Sequence, residues 1–242
     1  MIQIRNYIEK ITDNNIILDD NQLEMFEKYF KMLIEKNKVM NLTAITEREE
    51  VILKHFIDSL ALAAYYPAIY KDELSLIDVG TGAGFPGLPL AIAFPKLKIT
   101  LFDSLNKRVK FLQEVIAELK LDDRVCAIHG RAEEGARNAA LRESFDIVVS
   151  RAVANMSTLS EYCLPFTKLG GLFIPYKSGD IDEELNAGKK AISILGGRLQ
   201  KVDKLCLPDS DISRSFIFIE KIHATPKKYP RKPGTANKEP II

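Results

Sequence analysis

The stretch LIDVGTGAGFPGLPLAIAF, residues 76–94, decides the fold. An apolar run carries Asp78, four glycines follow within eight residues (Gly80, Gly82, Gly84 and Gly87), and a second apolar run resumes at helical spacing. Strand, tight loop and helix in that order form the ordinary cradle of a nucleotide-bearing ligand.

The loop parses in two ways. Gly82-x-Gly84-x-x-Gly87 satisfies the dinucleotide pattern, and Asp78-x-Gly80-x-Gly82-x-Gly84 satisfies the acid-plus-glycines pattern of S-adenosylmethionine-dependent methyltransferases. A dinucleotide fingerprint needs its first glycine at the strand's end, where Gly80 stands and Gly82 comes too late. A pyrophosphate also needs free N–H groups at the helix start, and Pro86 and Pro89 remove two of them. S-adenosylmethionine has no phosphate, and Asp78 is placed to meet its ammonium directly or through water. The second parse is therefore preferred, with a nicotinamide-dependent oxidoreductase as the rival.

Working outward, apolar strand-like runs recur at SLIDV, LKITLFD, RVCAIH, FDIVVS and GGLFIPY, with helical stretches such as NKRVKFLQEVIAELK between them. That alternation predicts a parallel sheet covered on both faces. The last two runs, GRLQKVDKLCL and SRSFIFIEKI, are joined by PDSDI, too short for a crossover, so this pair is expected to be antiparallel. The expected fold is α/β: a Rossmann-like seven-stranded, mostly parallel sheet with an antiparallel last pair and an N-terminal helical cap. Residues 1–70 form the cap, 71–222 the main domain, and 223–242 a basic C-terminal arm packed on it. In the cap, Leu23, Phe26, Phe30, Leu33 and Ile34 recur at three- and four-residue steps, and Leu53, Phe56 and Leu60 mark a second helix. The arm, rich in Pro, Gly and Lys, reads as loop or partly disordered chain.

Bulk properties exclude little. The chain has 242 residues and a net charge of +1, so overall charge names no partner. Cys126, Cys163 and Cys206 are odd in number and widely spaced, as are His55, His129 and His223. They predict reduced, mostly buried thiols in a cytoplasmic protein and no metal site. The N-terminus lacks the layout of a secretory signal, and no apolar run approaches membrane-spanning length.

Several polar residues fall where a switch-point crevice would expose them. Asp103 ends the second strand about 20 residues beyond the glycines, the position of a ribose-binding acid or of a helix cap. Ala132 and Glu133 follow the third strand, as adenine contacts or as an ordinary helix start. Arg151 ends the fourth strand, facing the ligand or pairing with an acid. His55 and Asp58 share one helix face, as cavity lining or as a packed pair. Lys221, Lys227, Lys228, Arg231, Lys232 and Lys238 lie within 22 residues without an intervening acid from Lys221 to Lys238. They read as a solvated basic tail or, with Tyr229, Pro230, Pro233 and Gly234 interleaved, as a shaped phosphate-binding loop that Lys177 could join.

Taken together, NLTAI (41–45), HFIDSL (55–60), DVGTGAGFPGLPLAI (78–92), DSLNKRVKFL (103–112), GRAEE (130–134), FDIVVSRAVA (145–154) and YPRKPG (229–234) run in order over nearly the whole chain. They resemble the bacterial 16S rRNA guanine-N7 methyltransferases, also called the glucose-inhibited division protein B family. The chain departs from that pattern at Lys36-Asn37, where many relatives carry Trp; it has no Trp. The resemblance implies S-adenosyl-L-methionine as cofactor, contacted by Gly80, Phe85, Ala132, Glu133 and Arg151, with Gly82, Gly84 and Asp103 around the same ligand. It implies methylation of a guanine N7 in a loop of 16S rRNA, in the small ribosomal subunit or an assembly intermediate. Arg151, Lys177, Lys228, Arg231 and Lys232 are the candidates for RNA contact. The segment VVSRAVANM lacks the Asn/Asp-Pro-Pro-aromatic motif of amine methyltransferases, and no general acid or base is assigned, because N7 carries a lone pair and no hydrogen. A non-catalytic ribosome assembly factor, or methylation of a small molecule or a protein, are the remaining alternatives.

Overall fold

The computed structural model describes residues 1–151, 154–179 and 181–241. Each strand-like run of the sequence becomes a strand: β1 (Ser75–Val79), β2 (Lys98–Asp103), β3 (Val125–His129), β4 (Phe145–Ser150), β5 (Thr167–Ser178), β6 (Gly197–Cys206) and β7 (Ser213–Lys221). They form one seven-stranded sheet in the order β3-β2-β1-β4-β5-β7-β6. The first five are parallel, while β7 runs antiparallel to both β5 and β6. The hairpin thus folds back so that its second strand, not its first, meets β5.

Alternation along each strand sorts side chains between two cores. Ile147 and Val149 of β4, and Phe216 and Phe218 of β7, point into one core. Their neighbours Val148, Ile217 and Ile219 point into the other. This period of two, apolar on both sides, is what a sheet covered on both faces requires.

The N-terminal helices cover the first face. The helix Asp20–Met40 starts at a capping box, in which the Asp19 side chain accepts from Gln22 N–H and Gln22 bonds back to the Asp19 N–H. It buries Phe26, Tyr29 and Leu33. Phe30 is only half-buried and lies under the Arg48 guanidinium. The second expected helix is irregular: Arg48–Val51 is α-helical, Ile52–Ile57 is a π-helical turn, and Asp58–Leu60 returns to α. Phe56 and Leu60 nonetheless reach the same core as Phe26.

The second face is covered by the helices Met156–Cys163 and Asp182–Ile194 and by the C-terminal arm. The arm is fixed in place. Tyr229 and Ala236 are buried, Arg142 donates to the carbonyls of Thr225 and Tyr229, and Thr158 and Ser157 donate to those of Ala236 and Ile241. A proline-rich segment makes few hydrogen bonds of its own, so these outside donors replace the ladder it lacks.

Of the cysteines, only Cys163 is buried. Cys126 and Cys206 are exposed because β3 and β6 are the two edges of the sheet. Among the described residues, no helix is long and apolar enough to cross a membrane.

Candidate active site

The chain runs from β1 outward to β2 and β3, then returns to place β4 on the other side of β1. The β1/β4 boundary is therefore the switch point, and the carboxyl ends of the strands there open a crevice. Two cavities flank it. The smaller, about 250 Å³, lies above β1, β2 and β3 and is lined by Gly80, Asp103, Gly130, Ala132, Glu133 and Tyr162 among others. The larger, about 640 Å³, lies above β4, β5 and β7 and is lined by His55, Asp58, Arg151, Lys177, Glu184 and Arg214 among others.

The glycine loop shapes the small cavity. Gly82 sits at φ +63° with open space where a Cβ would be, and its N–H donates to Asp103 Oδ2 at 2.9 Å. Asp103 Oδ1 accepts from Leu105 N–H at 2.8 Å, so this carboxylate both caps the next helix and ties it to the loop. Gly84, at φ +111°, faces the other way: a Cβ there would stand 2.8 Å from the Tyr29 hydroxyl and 2.5 Å from Leu88. Its conformation serves the packing of the helical layer rather than the cavity wall. Tyr29 closes that contact by donating to Ala83 O at 2.7 Å.

Asp78 is fully buried beneath the loop. Its Oδ2 accepts from the Thr81 hydroxyl at 2.7 Å and from Gly87 N–H at 2.9 Å, while Oδ1 has no partner among the described residues. Burial pushes its pKa up to about 6 against the lowering effect of those hydrogen bonds. This carboxylate occupies the anion seat of the following helix, Gly87–Ala93. Leu88 and Leu90 N–H groups bond to Gly84 and Pro86 carbonyls, and Pro89 has none to give. No free N–H remains in that first turn for a pyrophosphate, which disfavours the dinucleotide parse.

The large cavity is organised by one acid. Asp58 Oδ2 accepts from Arg151 Nη1 at 2.9 Å and Oδ1 from Arg214 Nε at 2.8 Å. Arg151 also reaches Lys54 O and His55 Nδ1, each at 3.2 Å, and its guanidinium lies 5.1 Å over the Phe85 ring. His55 stacks on Phe85 at 4.4 Å between ring centres and meets Thr43 Oγ1 through Nε2 at 2.8 Å. Burial first, and the Arg151 charge second, hold the His55 pKa down to about 3, so the imidazole is neutral at physiological pH. The π-helical turn Ile52–Ile57 carries His55 and delivers Asp58 immediately after it; such turns concentrate at functional sites.

The sequence candidates are thus divided. Gly80, Asp103, Ala132 and Glu133 meet around the small cavity, and Arg151 and Lys177 line the large one, with Phe85 packed beneath Arg151. Glu133 is also a strut, its Oε1 accepting from Gly234 N–H of the arm at 2.9 Å. Lys177 Nζ is held by Ala154 O at 2.5 Å and Glu184 Oε1 at 2.6 Å. Arg231 is bound on two sides by the buried Glu161, through its N–H at 2.7 Å and its guanidinium at 2.6 Å. Lys221 is completely buried against Glu143, Leu164 O and Thr225. Lys228 and Lys232 are exposed. Ala152 and Val153, within the segment VVSRAVANM, lie outside the described residues.

Sequence reasoning missed Tyr29, Arg214, Glu161 and Glu184. Tyr29 had a signal, since it stands three residues after Phe26 and four before Leu33 on the same helix face. Arg214 had none: it reaches the carboxyl edge because β7 is antiparallel to β5, opposite Ser178.

Comparison with known proteins agrees with this geometry. A family described as rRNA small subunit methyltransferase G matches residues 22–213. The Ribosomal RNA small subunit methyltransferase G of Lachnoclostridium phytofermentans is 53% identical over 98% of this chain and 96% of its own length. The protein of that name from Bacillus cytotoxicus is 50% identical over 99% of both chains. Among solved structures, a methyltransferase from Pyrococcus furiosus shares 15% identity and superposes with a TM-score of 0.53, covering 84% of this chain and 100% of that one. M. jannaschii TYW2 in complex with AdoMet shares 18% identity with a TM-score of 0.51, covering 68% and 77%. These structures share the fold of class I S-adenosylmethionine-dependent methyltransferases, and by sequence the chain belongs to the rRNA small subunit methyltransferase G family.

Proposed function

We propose that this enzyme transfers the methyl group of S-adenosylmethionine to N7 of a guanine in a loop of 16S rRNA, in the small ribosomal subunit or an assembly intermediate. Family membership over 192 matched positions (22 through 213) carries the coarser statement, methylation of small-subunit ribosomal RNA. The observation that carries the finer one is the makeup of the large cavity. It offers positive charge for a purine and its phosphate, and its one histidine has a pKa of about 3, too low for a useful base at neutral pH. Guanine N7 suits such a site because its lone pair needs no proton removed.

The small cavity fits the nucleoside end of the methyl donor. Asp103 and Glu133 supply carboxylate oxygens for ribose hydroxyls and adenine, and Gly80 and Gly82 allow close approach. The unpartnered Oδ1 of buried Asp78 is an acceptor suited to an ammonium, directly or through water. When bound, the donor supplies a methyl carbon activated by a sulfonium. The protein's contribution is to hold the purine in line with it and to exclude water, which is positioning rather than proton transfer. Arg151, fixed by Asp58, His55 and Phe85 in the wall of the large cavity, is the residue suited to hold the purine there. N7 lies in the deep groove of an A-form helix, so the target is expected in a loop or flipped from its stack.

The test is to map N7-methylguanosine in 16S rRNA from cells with and without the gene, beside calorimetry of the purified protein. A single guanine losing its mark in the deletion strain, with binding of S-adenosylhomocysteine and none of NAD(H), is the expected result. Identical marks in both strains would remove the assigned substrate.

A further inference from the structure

The larger cavity contains two acids with different freedom. Asp58 has both oxygens engaged by guanidinium groups and its side chain is 2% exposed. Glu184, in the first turn of the helix Asp182–Ile194, pairs with Lys177 through Oε1 alone. Its Oε2 has no partner among the described residues, and its side chain is 31% exposed against 11% for Lys177. Lys177 is pinned from behind by Ala154 O, which leaves one ammonium N–H beside that free carboxylate oxygen. The cavity wall therefore presents a positive donor and a negative acceptor side by side, held 2.6 Å apart.

That polarity is the complement of one purine edge. Guanine shows the O6 acceptor next to the N1–H and N2–H donors, whereas adenine shows an amino donor at C6 next to the N1 lone pair. We infer that Glu184, positioned by Lys177, is the residue that reads guanine, its carboxylate accepting from N1–H and N2–H while Lys177 donates to O6. Adenine in the same place would set donor against donor and lone pair against carboxylate, a built-in repulsion. The assignment rests on the proposed methylation of guanine N7, and it uses other atoms, since the Lys177–Glu184 pair engages the edge formed by O6, N1–H and N2–H while N7 lies on the adjoining one.

The same contact assists the reaction. As the N7 lone pair forms the new N–C bond and the S–C pair departs with sulfur, the positive charge moves onto the purine. The N1–H and N2–H groups become stronger donors while keeping their protons. A carboxylate facing them is favoured more in the transition state than in the ground state, which raises kcat as well as binding.

The test uses small subunits reconstituted around 16S rRNA in which the mapped target guanosine is replaced by inosine, which lacks the N2 amino group. Wild-type enzyme is expected to lose on the order of 10- to 100-fold in kcat/KM on inosine relative to guanosine. With Glu184→Ala the guanosine rate falls by a similar factor, and the guanosine-to-inosine ratio collapses to within about threefold. Glu184→Gln, which keeps the side-chain volume, falls between them, and both variants retain S-adenosylhomocysteine affinity. A ratio in either variant equal to that of wild type overturns the assignment, as does wild-type enzyme that methylates inosine as fast as guanosine. Absence of any N7 mark on the guanosine substrate would instead remove the underlying reading and this one with it.

Discussion

Two arginine clusters in this molecule use the same device for opposite ends. In the arm, Arg231 meets Glu161 one to one, the acid 1% exposed, and the pair is neutral. Over the large cavity, Asp58 holds two arginines, Arg151 and Arg214, and the trio carries a net charge of +1 (two positive, one negative). Matching the charges closes the first cluster, and its work is to fasten chain to body. Leaving one charge over opens the second, with guanidinium N–H groups that no acceptor among the described residues claims. A buried acid beside an arginine is thus no sign by itself of structure or of function; the count of acids to arginines distinguishes them.

The largest expected effect comes from Asp58→Asn. It leaves two guanidinium groups facing each other without a counter-charge, and stability falls by about 3–5 kcal/mol. Methylation of small subunits falls below detection in the same preparation. Urea denaturation beside initial rates measures both, and a stable, active variant would break the comparison at its strongest point.

Glu161→Gln is next. Freed from its partner, the arm loses its main anchor and stability falls by about 2 kcal/mol, less than for Asp58 because Arg231 can turn to solvent. In folded protein saturated with the methyl donor kcat stays within about twofold, since no donor over the large cavity has moved and the Gly234 strut touches only the wall of the small one. An activity loss as deep as that of Asp58→Asn would show that the arm belongs to the site.

A third difference is in pH. The cavity cluster contains His55, whose folded pKa is held at about 3. Between its unfolded value near 6.5 and about 3, the unfolded chain binds a proton that the folded chain refuses, so stability falls as pH drops through that window. Asp78 acts in the opposite sense: its folded pKa of about 6 lies above the unfolded value, so its contribution is present at low pH and is lost as pH rises through about 6. His55→Asn should therefore make the folded state relatively less sensitive to acid, and Asp78→Asn more so, in denaturation midpoints taken from pH 4 to 7. Equal slopes in both variants would exclude this balance.

The smallest effect belongs to the exposed Lys228 and Lys232. Replacing both by Ala should change stability by less than about 0.5 kcal/mol. If they touch phosphate, the logarithmic salt dependence of binding to small subunits becomes shallower by about one for each lysine. An unchanged slope would assign RNA contact to the cavity rim alone.

These clusters also mark how far the residues could be read in advance. Strands β1 to β7, the parallel run and the antiparallel last pair all follow from period-two apolar runs and from the length of the connections between them. The glycine loop was legible because its chemistry is local: Asp78 meets Thr81 and Gly87, and Gly82 meets Asp103, all between residues 78 and 103. The arm was not, because charge in a sequence does not reveal its partner. Lys221 and Arg231 look like free cations until the fold brings Glu143 and Glu161 to them across 78 and 70 residues. The Asp58–Arg214 pair spans 156 residues and depends on the insertion of β7 beside β5, which no periodicity encodes.

That insertion has a consequence for synthesis. Since β7 separates β5 from β6, a chain emerging in order exposes two unsatisfied strand edges until Ser213–Lys221 has been made. The wall of the small cavity waits longer still, because Glu133 receives its backbone donor from Gly234. The wall begun by residues between Gly80 and Tyr162 is therefore completed only when the arm has been made and folded back onto it.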